Sequence, residues 1–151
     1  MGVAGDRATV ELDPERAFGL WADVRRWPTF VDGFARPERL DDSWPEEGAK
    51  LVWQSTPDGR GRVTERVTAC EPGRLLVTEV FEERLTGSQR VAFEPHELQG
   101  TVVHIELEYA LVQGGLLAGV TDALFIRRAI RDSLSRTLRR FATEAAEEAA
   151  L

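Results

Sequence analysis

One cysteine, one methionine, one lysine, one tyrosine and two histidines are all that this chain of 151 residues holds of several types that chemistry often uses. Each scarcity excludes something. Cys70 alone permits neither an intrachain disulfide nor a thiolate cluster for zinc. No apolar run approaches the ~18 residues a membrane span needs. Residues Met1 to Arg7 contain no apolar stretch of the secretory kind, and although Gly2 begins a myristoylation-like string, position 6 is Asp6 where Ser or Thr is required. The expected location is cytoplasmic. Glycine-rich phosphate loops and zinc-type pairs are absent, so no metal and no nucleotide cofactor is expected. His96 falls in a turn and His104 on the expected wet face of a strand, which makes both poor general bases or metal ligands. The net charge of −7 disfavours nucleic acid as a partner. Its distribution is uneven: residues 116–140 carry six arginines against Asp122 and Asp132, followed by the acidic Glu144, Glu147 and Glu148. A basic helix beside an acidic sheet is either internal complementarity or a face that binds an anion or the ribosome. The predominance of arginine over the single Lys50 reads as base-composition bias.

What is present is an ordinary globular composition, 42% hydrophobic and 30% charged, at a length that fits one domain spanning 1–151. Thr9, Val10 and Leu12 read as a first strand. Asp13-Pro14-Glu15 then supplies an N-cap, a proline at the first helical position and an early carboxylate. Ala17, Phe18, Leu20, Trp21 and Val24 form that helix's buried face, and Arg26-Trp27-Pro28-Thr29-Phe30 breaks it into a second short helix. Strands are expected at 35–40, 49–54, 61–70, 75–83, 88–94 and 101–111, separated by turn signals such as Pro57-Asp58-Gly59, Glu71-Pro72-Gly73 and Thr86-Gly87. Short connections make consecutive strands antiparallel neighbours. In the last strand Val103, Ile105, Leu107, Tyr109 and Leu111 alternate with His104, Glu106 and Glu108, so one face is covered and one is wet.

After Gly114-Gly115 a helix is expected from Leu116 to Glu148, long enough to cross a whole sheet. At 100° per residue Leu116, Val120, Ala123, Ile130, Leu138, Phe141 and Ala145 fall within about 40° of Leu134, an apolar stripe. Arg128, Asp132, Arg136 and Arg139 occupy the back, expected in water. Gly119 is a candidate kink. Arg127 interrupts the apolar face and Phe125 the polar one.

Strand, two short helices, six antiparallel strands and one long helix is the order of the helix-grip fold. Asp13-Pro14-Glu15-Arg16-Ala17-Phe18, then Asp23-Val24-Arg25-Arg26-Trp27-Pro28-Thr29-Phe30, Cys70-Glu71-Pro72-Gly73-Arg74-Leu75 and Glu106-Leu107-Glu108-Tyr109 agree with it. Together they resemble the START-like, Bet v 1-like superfamily, most closely its polyketide cyclase/dehydrase-type branch of small bacterial proteins. The resemblance implies an α+β fold in which a curved seven-stranded antiparallel sheet wraps around the C-terminal helix, with a cavity between them. It also implies an apolar or aromatic ligand such as a lipid or polyketide, and in a minority of members chemistry on that ligand. Fold alone does not warrant catalysis.

Three readings follow: a small-molecule binding protein, a cyclase or dehydratase, or an interaction module without a ligand. Cyclisation and dehydration of a polyketone need shape plus positioned acids and bases. By alternation Glu65 and Glu79 point inward with Val63, Val67, Val77 and Phe81, and two carboxylates in an apolar cavity would have raised pKa values. The alternative is that a bulge shifts the register and turns one or both to water. Gln89, Val91 and Tyr109 are expected inward too, and Trp27, Phe30 and Trp53 are expected to line or gate the cavity. From the helix, Ala123, Arg127 and Ile130 complete the set. Arg127 either pairs with Glu65 or Glu79, holds a ligand carbonyl or carboxylate, or extends to the cavity rim. Phe125 covers the Gly114-Gly115 loop, makes a homodimer contact, or is simply an exposed aromatic.

Overall fold

Asp13 starts the first helix, because its carboxylate accepts the Arg16 backbone N–H at 2.9 Å and Pro14 presets the first helical residue. The computed structural model describes residues 1–112 and 120–151, with side chains on the helix from residue 123 onward. Its elements are β1 (Gly2–Val10), α1 (Pro14–Ala22), a 3-10 turn (Val24–Arg26), α2 (Trp27–Phe30), β2 (Phe34–Leu40), β3 (Lys50–Ser55), β4 (Arg62–Glu71), β5 (Leu75–Phe81), β6 (Leu85–His96), β7 (Gly100–Leu111) and α3 (Val120–Ala149). Among the described residues the strands form one seven-stranded antiparallel sheet in the order β1-β7-β6-β5-β4-β3-β2. This is the helix-grip arrangement expected from the order of elements. Leu116, the Gly114-Gly115 break and the Gly119 kink lie outside the described residues, as does the Val120 side chain.

Two strands are longer than their sequence signals. The polar leader before Thr9 belongs to β1, which pairs with β7 from Gly2↔Tyr109 to Val10↔Thr101. Thr86-Gly87, read as a turn, lies inside β6, where Gly87 sits opposite Tyr109. A Cβ at Gly87 would stand 2.3 Å from the Glu108 carbonyl oxygen, so the glycine marks close backbone approach within the sheet.

The third difference decides a site. In β4 and β5 the register runs Glu71↔Leu75, Cys70↔Leu76 and Ala69↔Val77, then jumps to Val67↔Thr78, Arg66↔Glu79 and Glu65↔Val80. Thr68 is the extra residue of a β-bulge. Without it Glu65 would stand opposite Phe81 and Val67 opposite Glu79, all on one face; the single insertion turns Val77, Glu79 and Phe81 outward and brings Thr78 and Val80 in.

On α3 the stripe of Leu134, Leu138, Phe141 and Ala145 is buried, with Ile130 partly so. The back is less solvated than its composition implies. Arg136 reaches Asp32, in the loop after α2, through Nε at 3.1 Å and Nη2 at 3.0 Å; Arg140 Nη1 adds 3.2 Å and Ser133 Oγ 2.7 Å. The Asp32 backbone N–H donates to Thr137 Oγ1 at 2.9 Å. Burial alone would push the Asp32 carboxyl up, but the bonds from Arg136 and Ser133 and the arginine charges outweigh it and hold its pKa below the usual range. Asp32→Ala is expected to cost about 1–2 kcal/mol in urea unfolding, and no more, because Arg136 and Arg140 are 43% and 48% exposed and return to water. An Asp32/Arg136 double-mutant cycle that gives zero coupling would show that the pair contributes nothing.

Candidate functional site

The inner face of the sheet is apolar with one carboxylate set into it. Glu65 on β4 is 4% exposed; its Oε2 accepts the Trp53 indole N–H at 2.8 Å, and its Oε1 is 3.0 Å from Thr78 Oγ1 on β5. Burial pushes the Glu65 carboxyl up from the ordinary carboxylate range. The Trp53 bond, the Arg60 charge and the Thr78 bond pull it partly back, and the Glu82 charge adds to the rise. The Arg60 guanidinium lies 5.2 Å from the Trp53 ring centroid and pairs with Glu82, tying the β3–β4 connection to the β5–β6 turn above the buried acid. Sequence alternation placed Glu65 inward but gave no sign of Thr78, Arg60 or Glu82 as its neighbours.

Glu79 and Phe81 are corrected by the bulge. They do not face Glu65; they line a shallow groove of about 300 Å³ on the outer side of the sheet with Ser88 and Glu108. Gln89 and Val91 do face inward, beside Glu65, Thr78, Leu76, Trp21, Trp27 and Trp44, but the gap among these side chains is too narrow to admit a water molecule. Trp27, Phe30 and Trp53, expected at a pocket wall or gate, are packed core. The Trp27 indole donates to the Trp21 carbonyl at 2.7 Å and meets Phe34 and Trp44 edge-on, Phe30 meets Trp21 and Phe141, and Trp53 lies against Phe34.

The other expected residues converge at the head of α3. Tyr109, Ala123 and Arg127 line a cleft of about 320 Å³, with Met1, Gly2, Leu111 and Leu124 as its remaining described walls. Tyr109 lies between two glycines, its Cα partners Gly2 on β1 and Gly87 on β6. Its ring crosses Gly2: a Cβ there would sit 2.4 Å from Cζ and 2.5 Å from the hydroxyl oxygen. Glycine at position 2 is therefore what lets the ring cross the edge strand beside the cleft. Arg127 pairs with neither Glu65 nor Glu79; its Nε donates to the Val3 carbonyl at 3.1 Å, capping the open edge of β1 from the cleft rim. Ile130, a turn further along, is half-buried against the core and is not part of the cleft wall. Phe125 is 72% exposed, next to exposed Leu124. The signal for Tyr109, Leu111 and Arg127 was present in the sequence; Gly2 carried none, because its role follows from the pairing of β1 with β7.

Among the described residues no helix is long and apolar enough to cross a membrane. No curated protein matches the chain in sequence. Solved structures do match its fold. A protein from Deinococcus radiodurans is 24% identical, with a TM-score of 0.63 over 99% of this chain and 100% of its own. The Zhui aromatase/cyclase from Streptomyces sp. R1128 is 13% identical, with a TM-score of 0.75 over 96% and 93%. A START superfamily protein from Mycobacterium smegmatis is 10% identical, with a TM-score of 0.73 over 96% and 97%. At these identities the likeness is one of fold. The sequence itself carries the rest: residues 4–146, from β1 to the end of the buried stripe of α3, match the model of one family, and the chain belongs to the polyketide cyclase/dehydrase and lipid transport family.

Proposed function

We propose that this chain binds an apolar or aromatic small molecule, of lipid or polyketide type, at the cleft between the head of α3 and the β1–β7 edge of the sheet. The observation that carries the reading is the convergence of Tyr109, Ala123 and Arg127 on one space of about 320 Å³, with Leu111 and Leu124 beside them. That volume is at the lower end of what small-molecule sites use, and mostly apolar walls with few polar groups are their usual chemistry. The family description, which names both cyclases and lipid transport, agrees with it. Catalysis of the cyclase or dehydratase type is the second reading, and the buried Glu65 favours it. It is weaker because the acid–base pair is gone: Glu79 is on the outer face, and both Glu65 oxygens are already engaged by Trp53 and Thr78. A ligand-free interaction module is the third reading: the packed interior favours it, but Arg136 and Arg140 of the basic helix are bonded to Asp32 within the chain.

Native mass spectrometry of the protein purified from its own host tests the reading. The expected spectrum shows a co-purifying molecule that leaves on denaturation and is missing from Ala123→Trp, in which an indole fills the cleft. A protein that carries nothing and is also not stabilised against heat by the neutral aromatic probe N-phenyl-1-naphthylamine would overturn it.

A further inference from the structure

We infer that the ligand of this cleft is an apolar molecule with a single anionic group, its hydrocarbon body against Leu111, Ala123 and Leu124 and its anion held between the Arg127 guanidinium and the Tyr109 hydroxyl; this rests on the binding reading above.

Arg127 is the one charged side chain among the described walls, and no described carboxylate lines the cleft. Its Nε is occupied by the Val3 carbonyl, which fixes the plane of the guanidinium and leaves both Nη groups without a partner among the described residues. Tethered in this way, a guanidinium presents a preset pair of donors, the geometry that suits carboxylate, sulfonate or phosphate oxygens. Tyr109 is 5% exposed and lines the cleft, and its hydroxyl, which lies against Gly2, is not fully buried and makes no hydrogen bond to a described residue. A phenol in that position donates one further bond to the same oxygens. Leu111 lies two residues beyond Tyr109 on β7, and Ala123 and Leu124 lie one turn before Arg127 on α3, so the polar pair and the apolar residues occupy successive levels of the same cleft. The chain as a whole carries a net charge of −7, which would repel an anion in general. Affinity for one must therefore come from this local arrangement.

The test uses two probes with one aromatic skeleton, 8-anilinonaphthalene-1-sulfonate, which is anionic, and neutral N-phenyl-1-naphthylamine, each titrated by fluorescence. Wild type is expected to bind the sulfonate more tightly. Arg127→Met, which keeps the apolar stem, is expected to weaken the sulfonate about tenfold, or about 1.4 kcal/mol, and to leave the neutral probe within about twofold. Tyr109→Phe should weaken the sulfonate about threefold with the same selectivity, and Ala123→Trp should abolish both. Circular dichroism melting of each variant confirms that it is folded. If Arg127→Met weakens both probes alike, or neither, the anionic ligand is wrong while neutral binding that Ala123→Trp removes keeps the binding reading intact. Sulfonate binding that survives Ala123→Trp places the anion elsewhere and also overturns the inference. Failure of the neutral probe to bind wild type counts against the binding reading itself.

Discussion

Phe141→Ala is expected to remove about 3–5 kcal/mol of folding stability, a large part of the roughly 5–15 kcal/mol that a domain possesses. The ring is fully buried where α3 meets both short helices. Its centroid lies 5.1 Å from Trp21 of α1 and 5.0 Å from Phe30 of α2, with interplanar angles of 70° in both cases. Near-perpendicular aromatic pairs add about 0.5–1.5 kcal/mol beyond area burial. Removing this ring therefore costs transfer energy, two such contacts and the cavity left between rigid neighbours. Phe141→Leu should recover most of the loss, because it restores volume without the edge-to-face geometry. Phe125→Ala, on the same helix but in water, should fall within about 0.5 kcal/mol of wild type. Urea titrations of the three variants measure this, with an unchanged m-value as the sign that the native state is intact. A Phe141→Ala loss below about 1 kcal/mol would mean that α3 is not held by this cluster.

The contrast between Phe141 and Phe125 was readable from helical periodicity, since one-dimensional spacing is enough to say which side of a helix faces a core. The alternation of Val103, Ile105, Leu107 and Tyr109 placed β7 equally well. In β5, Leu75 to Phe81 is apolar or nearly so at both parities, so its facing had to come from its neighbour. That facing depends on Thr68, one inserted residue with no distinguishing chemistry, and a site built on Glu65 and Glu79 together fails with it. Tertiary pairing was hidden for a related reason. Arg136 lies on the polar side of its helix by spacing, but its partner Asp32 is 104 residues away in a loop. Gly2 and Gly87 look like loop residues until Tyr109 is found between them. Local pattern identified the elements and most of the residues at the cleft; the pairing of distant segments decided which of them meet.

Glu65→Gln is expected to remove a pH dependence from folding that wild type shows. The folded state raises the Glu65 pKa, mainly by burial, whereas in the unfolded chain it titrates near its ordinary value of about 4.3. Between those two values the folded protein holds a proton that the unfolded one has released. Stability contributed by this group is therefore complete below about pH 4.3 and is lost as pH rises through the folded value, at about 1.4 kcal/mol for each pH unit in between. Asp6, Asp23 and Asp32 act in the opposite sense: their pKa values are lowered, so their contributions fade only as pH falls below about 4. The downward slope on the neutral side is thus assigned to Glu65. Glutamine reproduces the protonated acid, its carbonyl accepting from Trp53 and its amide facing Thr78 Oγ1, and it cannot ionise. Urea titrations from about pH 5 to 8 should show wild type weakening with pH and Glu65→Gln flat across that window. Glu65→Ala should be as flat as Glu65→Gln but about 3–4 kcal/mol less stable than it across the window, because it leaves the buried Trp53 N–H without an acceptor and opens a void. If Glu65→Gln keeps the wild-type slope, the ionisation lies elsewhere. If it flattens the slope, this family member carries a neutral acid on the inner face of its sheet at low pH and pays for its charge as the pH rises.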